Sequence, residues 1–93
     1  MDFKDGTYTL EGNKFYVDGK RLTVLERKKE TQRKPKYYLA CITRNGFEYI
    51  SSLYPSGANG KYNFDYKHKL YELELLGQEG RAVLKKIDAI DLD

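Results

Sequence analysis

YYLACITRNGFEYISSLY (37–54) carries the clearest structural signal in the chain. Two runs of β-branched and aromatic residues, 37–43 and 47–54, flank Arg44-Asn45-Gly46, and Asn-Gly between such runs is a strong short-range hairpin signal. Within the first run, alternation groups Tyr37 with Leu39 and Cys41 on one face and Tyr38 with Ala40 and Ile42 on the other. A hairpin alone is marginally stable in water, so the flanking sequence must supply more strands.

Toward the N-terminus it does. Tyr8 and Leu10 share one face of a run over 7–11, Gly12-Asn13 has turn chemistry, and Phe15 and Val17 continue the pattern to Asp18-Gly19, a second hairpin signature. With 21–26, residues 7–26 read as a three-stranded meander. Toward the C-terminus, 55–60 is a loop by composition, and Tyr62, Phe64 and Tyr66 then alternate with Lys61, Asn63, Asp65 and Lys67. Lys67-His68-Lys69 reads as a turn. Tyr71, Leu73 and Leu75 alternate with Glu72 and Glu74 up to Gly77-Gln78-Glu79-Gly80. Residues 81–87 are favoured as a final strand, although Val83, Ile87 and Ile90 also fit one helical face. The expected fold is all-β, with a β-rich α+β variant carrying one short C-terminal helix as the alternative. Its architecture is an antiparallel meander of about seven strands, closed as a barrel or strongly bent.

Ninety-three residues leave room for one core, so 1–93 reads as a single domain. Nine tyrosines and four phenylalanines, with no tryptophan, make tyrosine the main amphipathic aromatic. Cys41 is the only cysteine, which excludes an internal disulfide and fits a reducing, cytoplasmic setting. No run approaches the ~20 apolar residues of a membrane-spanning helix, and no apolar leader follows Met1, so no membrane association is expected.

The residues that carry chemistry elsewhere do not converge here. Glu72 and Glu74 share one strand face about 7 Å apart, but opposite Tyr71, Leu73 and Leu75 they read as a solvated surface. His68 lies between two lysines with no carboxylate to orient it. Cys41 sits among apolar neighbours as a small buried hydrophobe. Asp88, Asp91 and Asp93 lack the glycine-bearing loop of a calcium site. Gly57-Ala58-Asn59-Gly60-Lys61 has the wrong spacing for a phosphate loop and no helix after it. The expectation is a non-enzymatic protein without metal, cofactor or small-molecule substrate.

The charge is distributed unevenly. Of a formal net +3, residues 20–36 hold eight Lys or Arg against Glu26 and Glu30, a local +6, leaving −3 for the rest. High charge and Pro35 make 27–36 a flexible basic loop in this reading. Lys28, Lys29, Arg33, Lys34 and Lys36 lead into Tyr37-Tyr38, so phosphate-binding cations stand beside a ring, Tyr38, able to stack on a base. The leading functional expectation is therefore a module for single-stranded DNA or RNA. The alternative is a small inhibitor or adaptor, of the kind phages and mobile elements encode, docking a tyrosine-rich sheet face on a larger protein.

Overall fold

A computed structural model of the chain describes residues 3–31, 33–57 and 60–87. Eight strands follow one another: β1 (Gly6–Glu11), β2 (Lys14–Val17), β3 (Lys20–Arg27), β4 (Lys36–Thr43), β5 (Gly46–Pro55), β6 (Lys61–Tyr66), β7 (Lys69–Leu76) and β8 (Arg81–Ile87). Each pairs antiparallel with the next, and β8 returns to β1, closing the barrel. Closure removes the two free edges that an open meander would expose. The described residues contain no helix long and apolar enough to cross a membrane.

The count is eight, and 81–87 is the final strand that its sequence favours, pairing with both neighbours, Leu73 with Leu84 and Gly6 with Leu84. That excludes the helical alternative over 81–87; Ile90 and the three C-terminal aspartates lie outside the described residues. The connection over 27–36 is also shorter than expected. Arg27 and Lys36 are Cα partners that close the β3–β4 ladder, so strand geometry claims both ends of that segment. Pro55, expected in a loop, is the last residue of β5 and pairs with Tyr62. A proline is tolerated there because it ends the strand rather than interrupting it.

Turn chemistry follows the sequence with one adjustment. Asp18 and Gly19 both take positive φ, 53° and 77°, as a two-residue hairpin turn requires. At the β4–β5 hairpin the loop residues are instead Arg44 and Asn45, and the positive φ, 130°, falls on Gly46, the partner of Thr43. The Thr43 hydroxyl accepts from the Asn45 N–H at 3.3 Å and donates to the Gly46 carbonyl at 3.2 Å, which holds this turn.

The barrel is pinched into two halves. Among the described residues β1 meets β2 through two residue pairs, Leu10–Phe15 and Glu11–Lys14, and β5 meets β6 through Tyr54–Asn63 and Pro55–Tyr62. One curved sheet, β2–β5, thus faces another, β6–β8 with β1. Leu22, Val24 and Leu39 from the first and Phe64, Leu73 and Leu84 from the second fill the interior, joined by Phe15 and Val17. Each such side chain stabilises the fold by roughly 1.5–3 kcal/mol on burial. Phe3, before β1, plugs one end, with ring centroids 5.2–5.3 Å from Tyr66, Phe64 and Tyr71.

The pinch brings Gly60 against β7. Its carbonyl accepts the Leu75 N–H at 2.7 Å, its φ is +81°, and a Cβ there would stand 2.8 Å from the Leu75 carbonyl oxygen. Gly60→Ala meets strain and a backbone clash together, an expected cost of about 1–3 kcal/mol. Gly77→Ala, with open space around it and no positive φ, serves as the control. Urea-unfolding midpoints should fall for Gly60→Ala and stay near wild type for Gly77→Ala; equal midpoints would contradict this packing.

Candidate nucleic-acid interface

The cross-strand register sorts the side chains of β2–β5 onto two faces. Pairing of Phe15 with Leu22, Leu22 with Cys41 and Val24 with Leu39 directs these residues inward. The outward rows are then Arg27–Lys36, Leu25–Tyr38–Ser52, Lys14–Thr23–Ala40–Tyr49, Tyr16–Arg21 and Ile42–Phe47. These rows contain four cations and four aromatic rings, and no carboxylate. The opposite half is mixed: Glu72 pairs with Asn63 and Lys85, Glu74 with Lys61 and Val83, and Lys61 Nζ lies 3.9 Å from the Glu72 carboxylate.

A groove of about 400 Å³ crosses the outer face of β3–β5. Small side chains form its floor: Ala40 is 2% exposed although it points away from the core. Leu25, Tyr38, Phe47 and Tyr49 form the walls, with Arg27 at one end. Phe47 and Tyr49 are 60% and 62% exposed, an unusual position for two large rings. Tyr49 is held in place: its hydroxyl shares a 3.0 Å hydrogen bond with Ser52 Oγ, and its ring lies edge-on to Tyr38 at 5.9 Å. Glu26 also borders the groove, from the β3 position that pairs with Tyr37 of β4.

Of the residues anticipated from sequence, Tyr38 lies on the outer face, half-exposed, as alternation requires. Lys36 is exposed at the start of β4, on the same face. Lys28, Lys29, Arg33 and Lys34 are exposed in the connection beyond that row, where Lys34 also lines a hollow with Tyr37, Lys61 and Tyr62. Sequence reasoning misses Arg27, Phe47 and Tyr49. Composition assigns Arg27 to the loop, and a bulge that reverses the alternation of β5 hides its two rings. Cys41 is buried in the barrel wall and His68 lies exposed in the β6–β7 turn. The described residues contain no group of three or more side chains arranged to hold a metal ion.

No family model, curated protein or solved structure matches this chain.

Below the groove, at the barrel mouth, Tyr37 and Tyr62 pack with ring centroids 5.3 Å apart. Desolvation, then the Glu26 carboxylate, raises the Tyr37 phenol above its usual 10.0; the same causes in the same order raise Tyr62. A phenol raised on folding stabilises the protein fully below the unfolded value, and that stability is lost as pH climbs through the folded one. Stability measured by urea unfolding should therefore decline above about pH 10, and Tyr37→Phe/Tyr62→Phe should decline less steeply. Identical alkaline profiles for the two proteins would contradict the coupling.

Proposed function

We propose that this protein is a non-enzymatic binding module for single-stranded nucleic acid, with the outer face of β2–β5 as its interface. The observation that carries the reading is the composition of that face: aromatic rings between rows of cations, with no outward carboxylate on those four strands. A polyanion is attracted to such a surface, where cations outnumber acids and Glu26 is the one carboxylate that borders the groove. In this reading Arg27, Lys36 and the hairpin cations Lys28, Lys29, Arg33 and Lys34 contact phosphates. Tyr38, Tyr49 and Phe47 then offer ring faces on which unpaired bases stack, which double-stranded nucleic acid would not present. Stacking tolerates any base, so this part of the interface reads backbone and ring but no sequence.

Fluorescence anisotropy with a labelled oligonucleotide across a salt series tests the proposal. Wild-type binding should weaken steeply with salt. Replacing Lys28, Lys29, Arg33 and Lys34 with Gln should lower the slope by about 0.7 for each phosphate no longer neutralised. Tyr38→Ala and Tyr49→Ala should each cost about 1–3 kcal/mol of binding with the slope retained. Absence of salt-sensitive binding by wild type at low ionic strength would overturn the proposal and leave the same exposed rings as a protein-docking face.

A further inference from the structure

A second depression lies on the outer surface where β1, β2 and β3 meet, about 200 Å³ in volume and lined by Thr9, Glu11, Lys14, Tyr16 and Arg21. It is a different place from the aromatic groove, and its composition differs too, since it contains a carboxylate. Register explains the assembly. Glu11 pairs with Lys14 across β1–β2, and Tyr16 pairs with Arg21 across β2–β3, so the four side chains leave the same surface of the barrel. Tyr16 is 59% exposed. Among the described residues no cation lies over its ring, and neither an ion pair nor a side-chain hydrogen bond engages Glu11, Lys14, Tyr16 or Arg21. An open ring face, an uncommitted carboxylate and two uncommitted cations thus share one hollow of about 200 Å³.

We propose that this hollow is a base-reading station on the single-stranded nucleic acid, selecting a guanine over uracil or thymine. The inference rests on the nucleic-acid reading of the β2–β5 face and adds sequence preference to it. The base stacks on Tyr16, and Lys14 and Arg21 hold the flanking phosphates. The Glu11 carboxylate, an acceptor only, requires N–H donors from the base edge. Guanine presents two adjacent donors, N1–H and the 2-amino group, to its two oxygens. Uracil and thymine offer a single N–H between two carbonyl oxygens, which a carboxylate repels. Adenine and cytosine, with one amino group each, fall between. One strand reaches both places: Arg21 and Arg27 are six residues apart on β3, about 20 Å, with Thr23 and Leu25 outward between them. Binding sites on small barrels of comparable use cover about four nucleotides or more.

The probes are a ten-nucleotide oligothymidylate and the same oligomer with three interspersed guanines, titrated at low salt. Wild type should bind the guanine-containing strand roughly tenfold more tightly, within the span of discrimination one well-placed contact supplies. Glu11→Gln, an exposed and conservative change checked by far-UV circular dichroism, should erase most of that preference while binding oligothymidylate at least as well as wild type, since it removes a like charge. Tyr16→Ala should weaken both complexes. Equal affinity of wild type for the two strands, or a preference untouched by Glu11→Gln, would overturn the base-reading station and leave the β2–β5 interface standing. Failure of wild type to bind either strand would overturn both.

Discussion

One extra residue in β5 sets the surface of this barrel. Leu39 of β4 pairs with Ser51, but the next residue, Ala40, pairs with Tyr49, so Ile50 is inserted between two registers. A strand alternates its faces with period two, and a single inserted residue reverses the assignment of everything beyond it. Ser51 and Leu53 therefore point inward, while Phe47 and Tyr49 point outward. Without the bulge, the two rings would share the face of Leu53 and be drawn into an interior that Phe15, Leu22 and Leu39 already fill. The bulge spares the core two further rings and supplies the outer face with its aromatic wall.

The remainder of the interface follows from that reversal. Ala40 is small, so the rings of Tyr38, Phe47 and Tyr49 around it leave a groove instead of a packed layer. The ladder from Leu25–Tyr38 to Arg27–Lys36 then carries the same face directly into the basic hairpin. The pinch at the β5–β6 seam separates this face from the mixed surface of β6–β8. Ser51 Oγ donates to the Asp65 carbonyl at 2.9 Å across that seam, tying the halves together where the two strands no longer pair along their length.

Much of the fold is legible in the sequence because local and global signals agree. Asp18-Gly19 demands a two-residue turn and forms one, and the alternation of Tyr62, Phe64 and Tyr66 carries Phe64 into the core as written. Tyr37 and Tyr38 divide between inside and outside as the alternation of their strand requires. What is not legible depends on contacts distant in sequence. The pairing of Arg27 with Lys36 draws two charged residues into strands that their own propensities do not favour, and Phe3 lies outside every periodic run yet plugs the barrel. The Ile50 bulge leaves no composition signal, so sequence alone does not join Phe47 and Tyr49 to Tyr38. The hollow around Tyr16 and Glu11 is invisible for the same reason, since it exists only once β1, β2 and β3 are side by side.

The proposed function requires that one half of the barrel surface, and not the other, receives single-stranded nucleic acid. Amide chemical-shift mapping by NMR during titration with an oligonucleotide at low ionic strength examines it residue by residue. The expected result is perturbation concentrated at Leu25, Arg27, Lys36, Tyr38, Ala40 and Tyr49, with Asn63, Glu72, Val83 and Lys85 unmoved. Shifts centred on β6–β8, or no shifts at saturating oligonucleotide, would contradict it.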